Sequence, residues 1–132
     1  MKSARALFTL LALVCAAAAG AAVPRAAMAA ELVMLESPGC VWCARWNKEI
    51  APIYPVTEEG RRAPLRRVDI TEPWPADLAE IAVDRYTPTF IVIENGSEIA
   101  RLRGYPGEDF FWPLLAEMLA KLVPSAGGDE NG

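Results

Sequence analysis

Two cysteines three residues apart, Cys40 and Cys43, stand where an apolar strand is predicted to run into a helix. Residues 32–35 form a short continuous apolar run, and residues 37–39, Ser-Pro-Gly, end it in a turn. Over residues 40–57, apolar side chains recur at three- and four-residue spacing, which predicts an amphipathic helix. The cysteine pair is therefore expected at a strand-to-helix junction.

The central part of the chain predicts a second strand followed by a weaker helix. Pro52 should kink or shorten the first helix, because a proline inside a helix lacks the amide donor that the turn requires. Residues 65–70 alternate partly between apolar and polar side chains and close on Thr-Glu-Pro, which predicts a strand. A weaker helix is predicted over about residues 75–85.

The C-terminal part of the sequence predicts a hairpin and a helix. Residues 89–93 are rich in β-branched and aromatic side chains, and Asn95-Gly96 is a strong hairpin signal before a strand at about residues 98–103. An apolar stripe over residues 110–122 predicts a helix, with Pro113 tolerated near its first turn. The whole order predicts an α/β fold with a central mixed β-sheet flanked by helices.

The N-terminal region has the pattern of a secretory signal peptide. Lys2 and Arg5 precede an apolar run over residues 6–19, and residues 27–29, Ala-Met-Ala, form a small-x-small cleavage site. A membrane anchor is the alternative, but the apolar run is shorter than the roughly 20 residues that span a bilayer. We therefore expect export to the periplasm, with the leader cleaved near Ala29.

The rest of the chain fits one compact domain. Once the leader, residues 1–29, is set aside, residues 30–123 carry the predicted strands and helices. Residues 124–132 are small, polar and glycine-rich, which predicts a flexible tail. We expect the protein to be a monomer.

The charge balance argues against a nucleic-acid partner. Removing the leader takes away Lys2, Arg5 and Arg25 and no acid, which leaves 10 basic residues against 17 acidic ones, a net charge near −7. Phosphate binding requires Lys and Arg clustered on one face, and the pairs Arg61-Arg62 and Arg66-Arg67 stand close to acidic residues in sequence. These arginines are interpreted as a solvated surface.

The two cysteines of the expected mature chain point to redox chemistry. In an oxidising compartment, thiols form disulfides and keep them. At the start of a helix, unpaired amides and the helix dipole favour negative charge on the first sulfur, so Cys40 is the predicted nucleophile. Cys43, about one turn along, is placed to attack a mixed disulfide on Cys40 and release the reduced partner. Both are predicted catalytic residues, and no metal or cofactor is expected.

Taken together, these features resemble the thioredoxin family. The shared pattern is a strand, Pro-Gly-Cys-x-x-Cys, a helix and a later Thr87-Pro88-Thr89-Phe90 that enters a strand, and it covers nearly all of residues 31–123. The resemblance implies a thioredoxin-like fold and thiol-disulfide oxidoreductase activity on a protein with a disulfide or an oxidised cysteine. It also implies that Pro88 is a cis-proline beside the cysteine pair, and that Pro88 and Thr87 contact the substrate.

Val41 and Trp42, which separate the cysteines, are the other candidate substrate contacts, since Trp42 offers an aromatic face to a docking peptide. They replace the glycine-proline of thioredoxin itself, Gly39 replaces the tryptophan before the first cysteine, and Met34 stands where a buried acid would align. Proton transfer to the second cysteine therefore lacks its usual helper. Glu36 is the nearest carboxylate in sequence, and both a water-mediated relay and a plain exposed carboxylate remain open for it.

The absence of histidine from the sequence narrows the chemistry further. Without an imidazole to activate a thiol, a Cys-His protease is excluded. The strongly oxidising thioredoxin-fold pattern, with a histidine between the cysteines, is absent too, and Val41-Trp42 adds no charge that would stabilise a thiolate. These points favour a moderate or reducing potential over a strongly oxidising one.

Four stretches resemble, more narrowly, the small SoxS-type periplasmic thioredoxins associated with sulfur oxidation. They are residues 38–40, 43–46, 61–69 and 104–112. This resemblance implies a reductant that frees the essential cysteine of a periplasmic sulfur-carrier protein from adventitious disulfides. A membrane thiol electron donor is then required, because free thiols do not persist unaided in that compartment.

Two interpretations of another class remain open. Two thiolates at C-x-x-C spacing bind soft metals, so a Cu(I)-binding carrier module is one alternative, although the chain has no histidine and Met34 and Met118 fall at core positions. A structural zinc site is less well supported. Such a site requires four ligands, whereas the expected mature chain retains two cysteines. A non-catalytic thioredoxin-fold adaptor is the other alternative, and the intact cysteine pair counts against it.

Overall fold

The computed structural model describes residues 30–122. The expected leader, residues 1–29, and the expected tail, residues 124–132, lie outside the described residues. Within the described part, no helix is both long enough and apolar enough to cross a membrane.

A four-stranded mixed sheet forms the centre of the fold. β1 (Glu31–Glu36) lies between β2 (Leu65–Asp69), to which it is parallel, and β3 (Thr89–Glu94), to which it is antiparallel. β4 (Ser97–Arg103) pairs antiparallel with β3, so the strand order is β2-β1-β3-β4. A parallel pair requires a crossover connection, and helices supply it between β1 and β2. The predicted α/β class, with a central mixed sheet flanked by helices, is confirmed.

The predicted hairpin joins β3 to β4. Asn95 and Gly96 both have positive φ, 52° and 78°, as the two central residues of a type I′ turn require. Asn tolerates this left-handed conformation better than most residues, and Gly adopts it without a steric penalty. The dipeptide therefore sets the register next to the turn, and an irregularity between Val92 and Ile93 shifts it farther along the pair.

The first helical region is shorter than its apolar pattern predicts. α1 spans Val41–Glu49, whereas the spacing predicts a helix over residues 40–57. The chain leaves the helix before Pro52, as the ring of that residue requires, and a separate 3-10 turn follows at Tyr54–Val56. A further short helix, α2 (Glu58–Arg62), has no counterpart among the predicted elements, because five residues are too few to show a helical period.

The helix predicted over residues 75–85 is wrong. The structure has a 3-10 turn at Ala76–Leu78, followed by irregular chain up to β3. Pro75 holds an extended conformation at the start, with ψ of 133°. Further along, the Asp84 carboxylate accepts a hydrogen bond from the amide of Tyr86 at 3.1 Å. Such local side-chain bonds compete with helical backbone pairing and favour a loop.

The sheet separates two hydrophobic clusters. Side chains alternate along β1, so Leu32 and Met34 enter one cluster, whereas Val33 and Leu35 enter the other. The larger cluster contains the buried side chains of both long helices, which therefore pack on the same face of the sheet. The smaller cluster is closed by the segment after β2, through Leu78 and Ile81. Because both faces of β1 are covered, its sequence between the two terminal glutamates, residues 32–35, is continuously apolar.

The last helix, α3 (Glu108–Leu119), packs against the larger cluster through side chains of the predicted apolar stripe. Its buried side chains are those of Phe111, Leu115, Met118 and Leu119. Phe110, also part of the predicted stripe, points outward instead and is 65% exposed. Pro113 lies in the second turn, later than expected. The carbonyl that loses its helical donor there is that of Asp109, an exposed residue, so water can replace the missing bond.

Candidate active site

A tight turn delivers Cys40 from the sheet to the helix. The Cys40 amide donates to the Ser37 carbonyl at 3.2 Å, which closes a four-residue turn after β1. Pro38 and Gly39 are its central residues, and Gly39 has a φ of 75°. Proline at the first central position and a left-handed glycine at the second are typical of a type II turn. The predicted strand-to-helix junction is therefore present, with Cys40 at its end.

The two cysteines are joined in a disulfide, and they differ in how far solvent can reach them. Their Cα atoms lie 5.2 Å apart. Cys40 is the N-cap residue of α1, and its sulfur accepts a hydrogen bond from the Cys43 amide at 3.1 Å. Cys43 is only 4% exposed, whereas Cys40 is half-buried. Of the two cysteines, Cys40 is the more exposed, and its sulfur receives the donor at the helix start.

The two residues between the cysteines point outward. Val41 is 75% exposed and Trp42 is 53% exposed. Helical spacing groups Trp42 with the buried Trp46, but in the structure Trp42 lies on the exposed side of α1. The guanidinium of Arg45 lies 5.8 Å from the centre of the Trp42 ring. An aromatic and an aliphatic side chain are therefore available beside the disulfide.

Arg45, which lies against the Trp42 ring, belongs to a small polar network with Glu49 and Tyr105. Its Nε donates to the Glu49 carboxylate at 2.9 Å, and the Tyr105 hydroxyl donates to the same carboxylate at 2.6 Å. The Tyr105 hydrogen bond, followed by that of Arg45, lowers the pKa of Glu49. Burial, followed by the bond to Glu49, raises the pKa of Tyr105. At neutral pH the network therefore holds Arg45 in place against the Trp42 ring.

The segment that contains Thr87 and Pro88 lies against the turn before Cys40. The Thr87–Pro88 peptide bond is cis, the isomer that the family resemblance implies. A hydrogen bond of 2.9 Å joins the hydroxyls of Thr87 and Ser37. Pro88 is buried, and its carbonyl accepts from the Gly104 amide at 2.8 Å. The structure thus brings Thr87, which is 50 residues distant from Ser37 in sequence, beside the cysteine turn.

The position of the expected buried acid is apolar. Met34 is fully buried in β1, and its register partner on β2 is Arg67. Arg67 donates to the Glu36 carboxylate at 2.8 Å and to the Asn47 side chain at 2.7 Å. Glu36, the carboxylate whose role the sequence leaves open, is therefore held in an ion pair.

Sequence reasoning missed a buried carboxylate close to this site. Asp84, 5% exposed, accepts hydrogen bonds from Arg101 at 3.1 Å and from Arg103 at 2.5 Å, both on β4. The sequence places Asp84 inside a predicted helix, which gives no reason to expect a buried charge there. No local pattern connects Asp84 with Arg101 and Arg103, which lie 17 and 19 positions later. It stands two residues before Tyr86 and three before Thr87.

In the part of the chain that the structure describes, Cys40 and Cys43 do not belong to a larger group of metal-binding side chains. Among residues 30–122, no group of three or more His, Cys, Asp or Glu side chains is arranged to hold a metal ion. A Cu(I) carrier would have to use Cys40 and Cys43 with ligands from elsewhere.

Comparisons with known proteins give matches among solved structures. No protein-family model matches the chain, and no curated protein does. The periplasmic thioredoxin SoxS from Paracoccus pantotrophus, in its reduced form, is 49% identical with a TM-score of 0.64, over 70% of this chain and 97% of that one. A thioredoxin from Thermus thermophilus is 24% identical with a TM-score of 0.56, over 70% and 75% of the two chains. A Malassezia sympodialis thioredoxin is 19% identical with a TM-score of 0.52, over 70% and 77%. The last two matches show likeness of fold.

Proposed function

Because this chain belongs to the thioredoxin family and is a thiol-disulfide oxidoreductase, we propose that it acts in the periplasm as a reductant of protein disulfides. The position of Cys40 is the main support. Its sulfur caps α1, and the residue is half-buried, whereas Cys43 is 4% exposed. An incoming disulfide therefore reaches Cys40 first.

The proposed reaction consists of two exchanges. The Cys40 thiolate attacks one sulfur of the partner, so a mixed disulfide forms, the partner's S–S bond breaks, and the leaving thiolate takes a proton from water. The Cys43 thiol then gives up its proton to water and attacks the Cys40 sulfur, which releases the second partner thiol and closes the Cys40–Cys43 disulfide. The partner gains two electrons and the enzyme loses two. The amide that donates to the Cys40 sulfur stabilises the thiolate at the start of the cycle.

The partner chain is proposed to dock on both sides of the disulfide. Val41 and Trp42 offer exposed apolar surface on the helix side. Thr87 and Pro88 are proposed to contact the partner from the turn side, since a hydrogen bond joins Thr87 to Ser37, three residues before Cys40. Exposed aromatic surface of this kind is favoured where a partner is bound.

The periplasmic location is proposed on two grounds. The leader pattern up to Ala29 is typical of export, and the 49% identical SoxS is a periplasmic thioredoxin. Mass spectrometry of the protein isolated from cells should find a mature N-terminus near Ala30. A mature protein that retains Met1 would contradict the export route.

The proposed partner is a periplasmic sulfur-carrier protein, with a membrane thiol donor to return the electrons. The resemblance to SoxS-type thioredoxins is the support for this choice, together with the uncharged Val41-Trp42 pair, which favours the reducing direction. In rapidly trapped cells the pair should be mostly reduced, with a potential well below about −180 mV against glutathione. A pair that is mostly oxidised, with a potential near about −120 mV, would make the protein a disulfide donor instead.

Trapping tests the two cysteine roles and the partner together. Cys43→Ser, expressed with its leader, should accumulate a mixed disulfide between Cys40 and the partner, because the second exchange is blocked. Cys40→Ser is the matched control and should accumulate none. If Cys40→Ser traps partners and Cys43→Ser does not, the roles are reversed. If neither variant traps and the wild-type protein reduces neither insulin nor 5,5′-dithiobis(2-nitrobenzoate), the oxidoreductase function is wrong.

A further inference from the structure

The loop that precedes Pro88 is fixed by a buried charge. Residues 82–87 form no helix or strand, and their side chains at Val83, Arg85 and Tyr86 are exposed. Asp84, in contrast, is buried and 5% exposed. A buried charge must be compensated, so its contacts identify the elements to which this loop is attached.

The compensation comes from two arginines of β4. Arg103 donates to the Asp84 carboxylate at 2.5 Å, and Arg101 donates to the same oxygen at 3.1 Å. Arg101 also donates to the carbonyl of Ala82 at 2.8 Å. Its guanidinium therefore binds a side chain of the loop, that of Asp84, and a backbone carbonyl of the loop. The other carboxylate oxygen of Asp84 accepts from the Tyr86 amide at 3.1 Å. The carboxylate therefore joins β4 to the backbone immediately before Thr87.

The charge of Asp84 is present at every physiological pH. Burial alone would raise its pKa, but the hydrogen bonds from Arg103, from the Tyr86 amide and from Arg101 outweigh burial and lower the pKa to about 2. Hydrogen bonds to an ionised group are shorter and stronger than neutral ones.

We propose that Asp84 is a positioning residue for substrate docking, which fixes the loop through Arg101 and Arg103 and thereby sets where Thr87 and Pro88 meet a protein disulfide. This inference rests on the proposed function of the Cys40–Cys43 pair. Asp84 touches neither sulfur in the described hydrogen bonds, so it acts on docking through the loop. Misplacing a docking segment by about 1 Å can reduce productive encounters by up to about 100-fold.

Single-turnover reduction of insulin by the pre-reduced protein separates docking from chemistry. The rate as a function of insulin concentration gives a half-saturating concentration and a maximal rate. Asp84→Asn keeps the shape of the side chain but removes the charge, and we expect it to raise the half-saturating concentration about tenfold, with a smaller change in the maximal rate. Glu98→Gln is the matched control, because Glu98 pairs with Arg101 at 2.7 Å but makes no described contact with the loop. It should raise the half-saturating concentration far less than Asp84→Asn does, because Arg101 and Arg103 keep their bonds to Asp84.

Arg103 provides a second test if Asp84→Asn fails to fold by circular dichroism. Its side chain is 62% exposed, so Arg103→Gln removes one bond of Asp84 without opening the core. We expect about a threefold rise in the half-saturating concentration, and Arg103→Lys should recover most of it, because the cation is restored.

Three results would overturn the inference. They are an unchanged half-saturating concentration in Asp84→Asn, a loss confined to the maximal rate, and an equal loss in Glu98→Gln. A wild-type protein that reduces neither insulin nor 5,5′-dithiobis(2-nitrobenzoate) is a different result, which overturns the proposed function itself.

Discussion

Two tryptophans four residues apart on α1 have opposite surroundings. Trp46 is fully buried, with ring centres at 5.4 Å from Phe90 and 5.9 Å from Phe111. Its indole nitrogen has no hydrogen-bond partner in the described part of the chain, so Trp46 contributes by packing. Trp42, in contrast, is 53% exposed beside the disulfide. The helical spacing that places both on one apolar stripe does not separate these two roles.

Replacing each tryptophan with alanine should therefore give different losses of stability. We expect Trp46→Ala to lower the free energy of unfolding by about 3–5 kcal/mol, because it opens a cavity among close-packed aromatic rings. Trp42→Ala should change it by less than about 1 kcal/mol and should instead weaken insulin binding in the single-turnover assay. Urea denaturation at pH 7 measures the first quantity. Equal losses in the two variants would assign Trp42 to the core rather than to docking.

At the scale of elements, the attachment of the 82–87 loop to β4 predicts a pH dependence. The pKa of Asp84 is lowered from 3.8 to about 2 in the folded chain, so the unfolded chain binds the proton more readily. The stabilisation is therefore complete above about pH 5, declines as the pH falls below about 4, and is lost once the pH passes below about 2. A shift of this size corresponds to on the order of 2 kcal/mol.

The difference in unfolding free energy between wild type and Asp84→Asn measures this stabilisation. It should shrink by about 2 kcal/mol between pH 6 and pH 2, as the wild-type carboxyl becomes protonated. Other carboxyls whose pKa is lowered, such as Glu98 and Asp77, are present in both proteins and largely cancel. A difference that does not vary with pH would show that Asp84 contributes by shape alone.

The elements that the sequence predicts correctly are those with a strong local signal. The apolar runs of β1 and β3, and the Asn95-Gly96 turn, specify their own structure within a few residues. The helix predicted over residues 75–85 is wrong because the Asp84 carboxylate binds the Tyr86 amide and also two arginines of β4, which lie far away in sequence. The helix propensities of neighbouring residues do not reveal contacts with a strand that lies far away in sequence.

The same distinction applies to the candidate site. The cysteine pair and its junction follow from spacing, and the family resemblance points to Thr87 and Pro88. The Arg45–Glu49–Tyr105 network and the Asp84 attachment require knowledge of which strands and helices are neighbours. Supporting residues of this kind have ordinary identities at unremarkable positions, so a single sequence does not reveal them.

At the scale of the whole molecule, we expect a monomer. The expected mature chain has a net charge near −7, which opposes self-association of like molecules. Sedimentation velocity of the reduced and oxidised protein at micromolar concentration should give a single species of one chain, at both low and high salt. A dimer that appears as salt rises would show that charge repulsion had been masking an apolar interface.

The strand order has a consequence for aggregation. β2 and β4 are the two margins of the sheet, and each exposes a row of backbone groups to which another extended chain can add. β2 carries Arg66 and Arg67, and β4 carries Glu98, Arg101 and Arg103. Charged side chains on a margin make strand addition costly. The charged margins therefore oppose strand addition by a partner chain that docks at the disulfide, so the encounter is directed to Cys40 and not to the sheet edges.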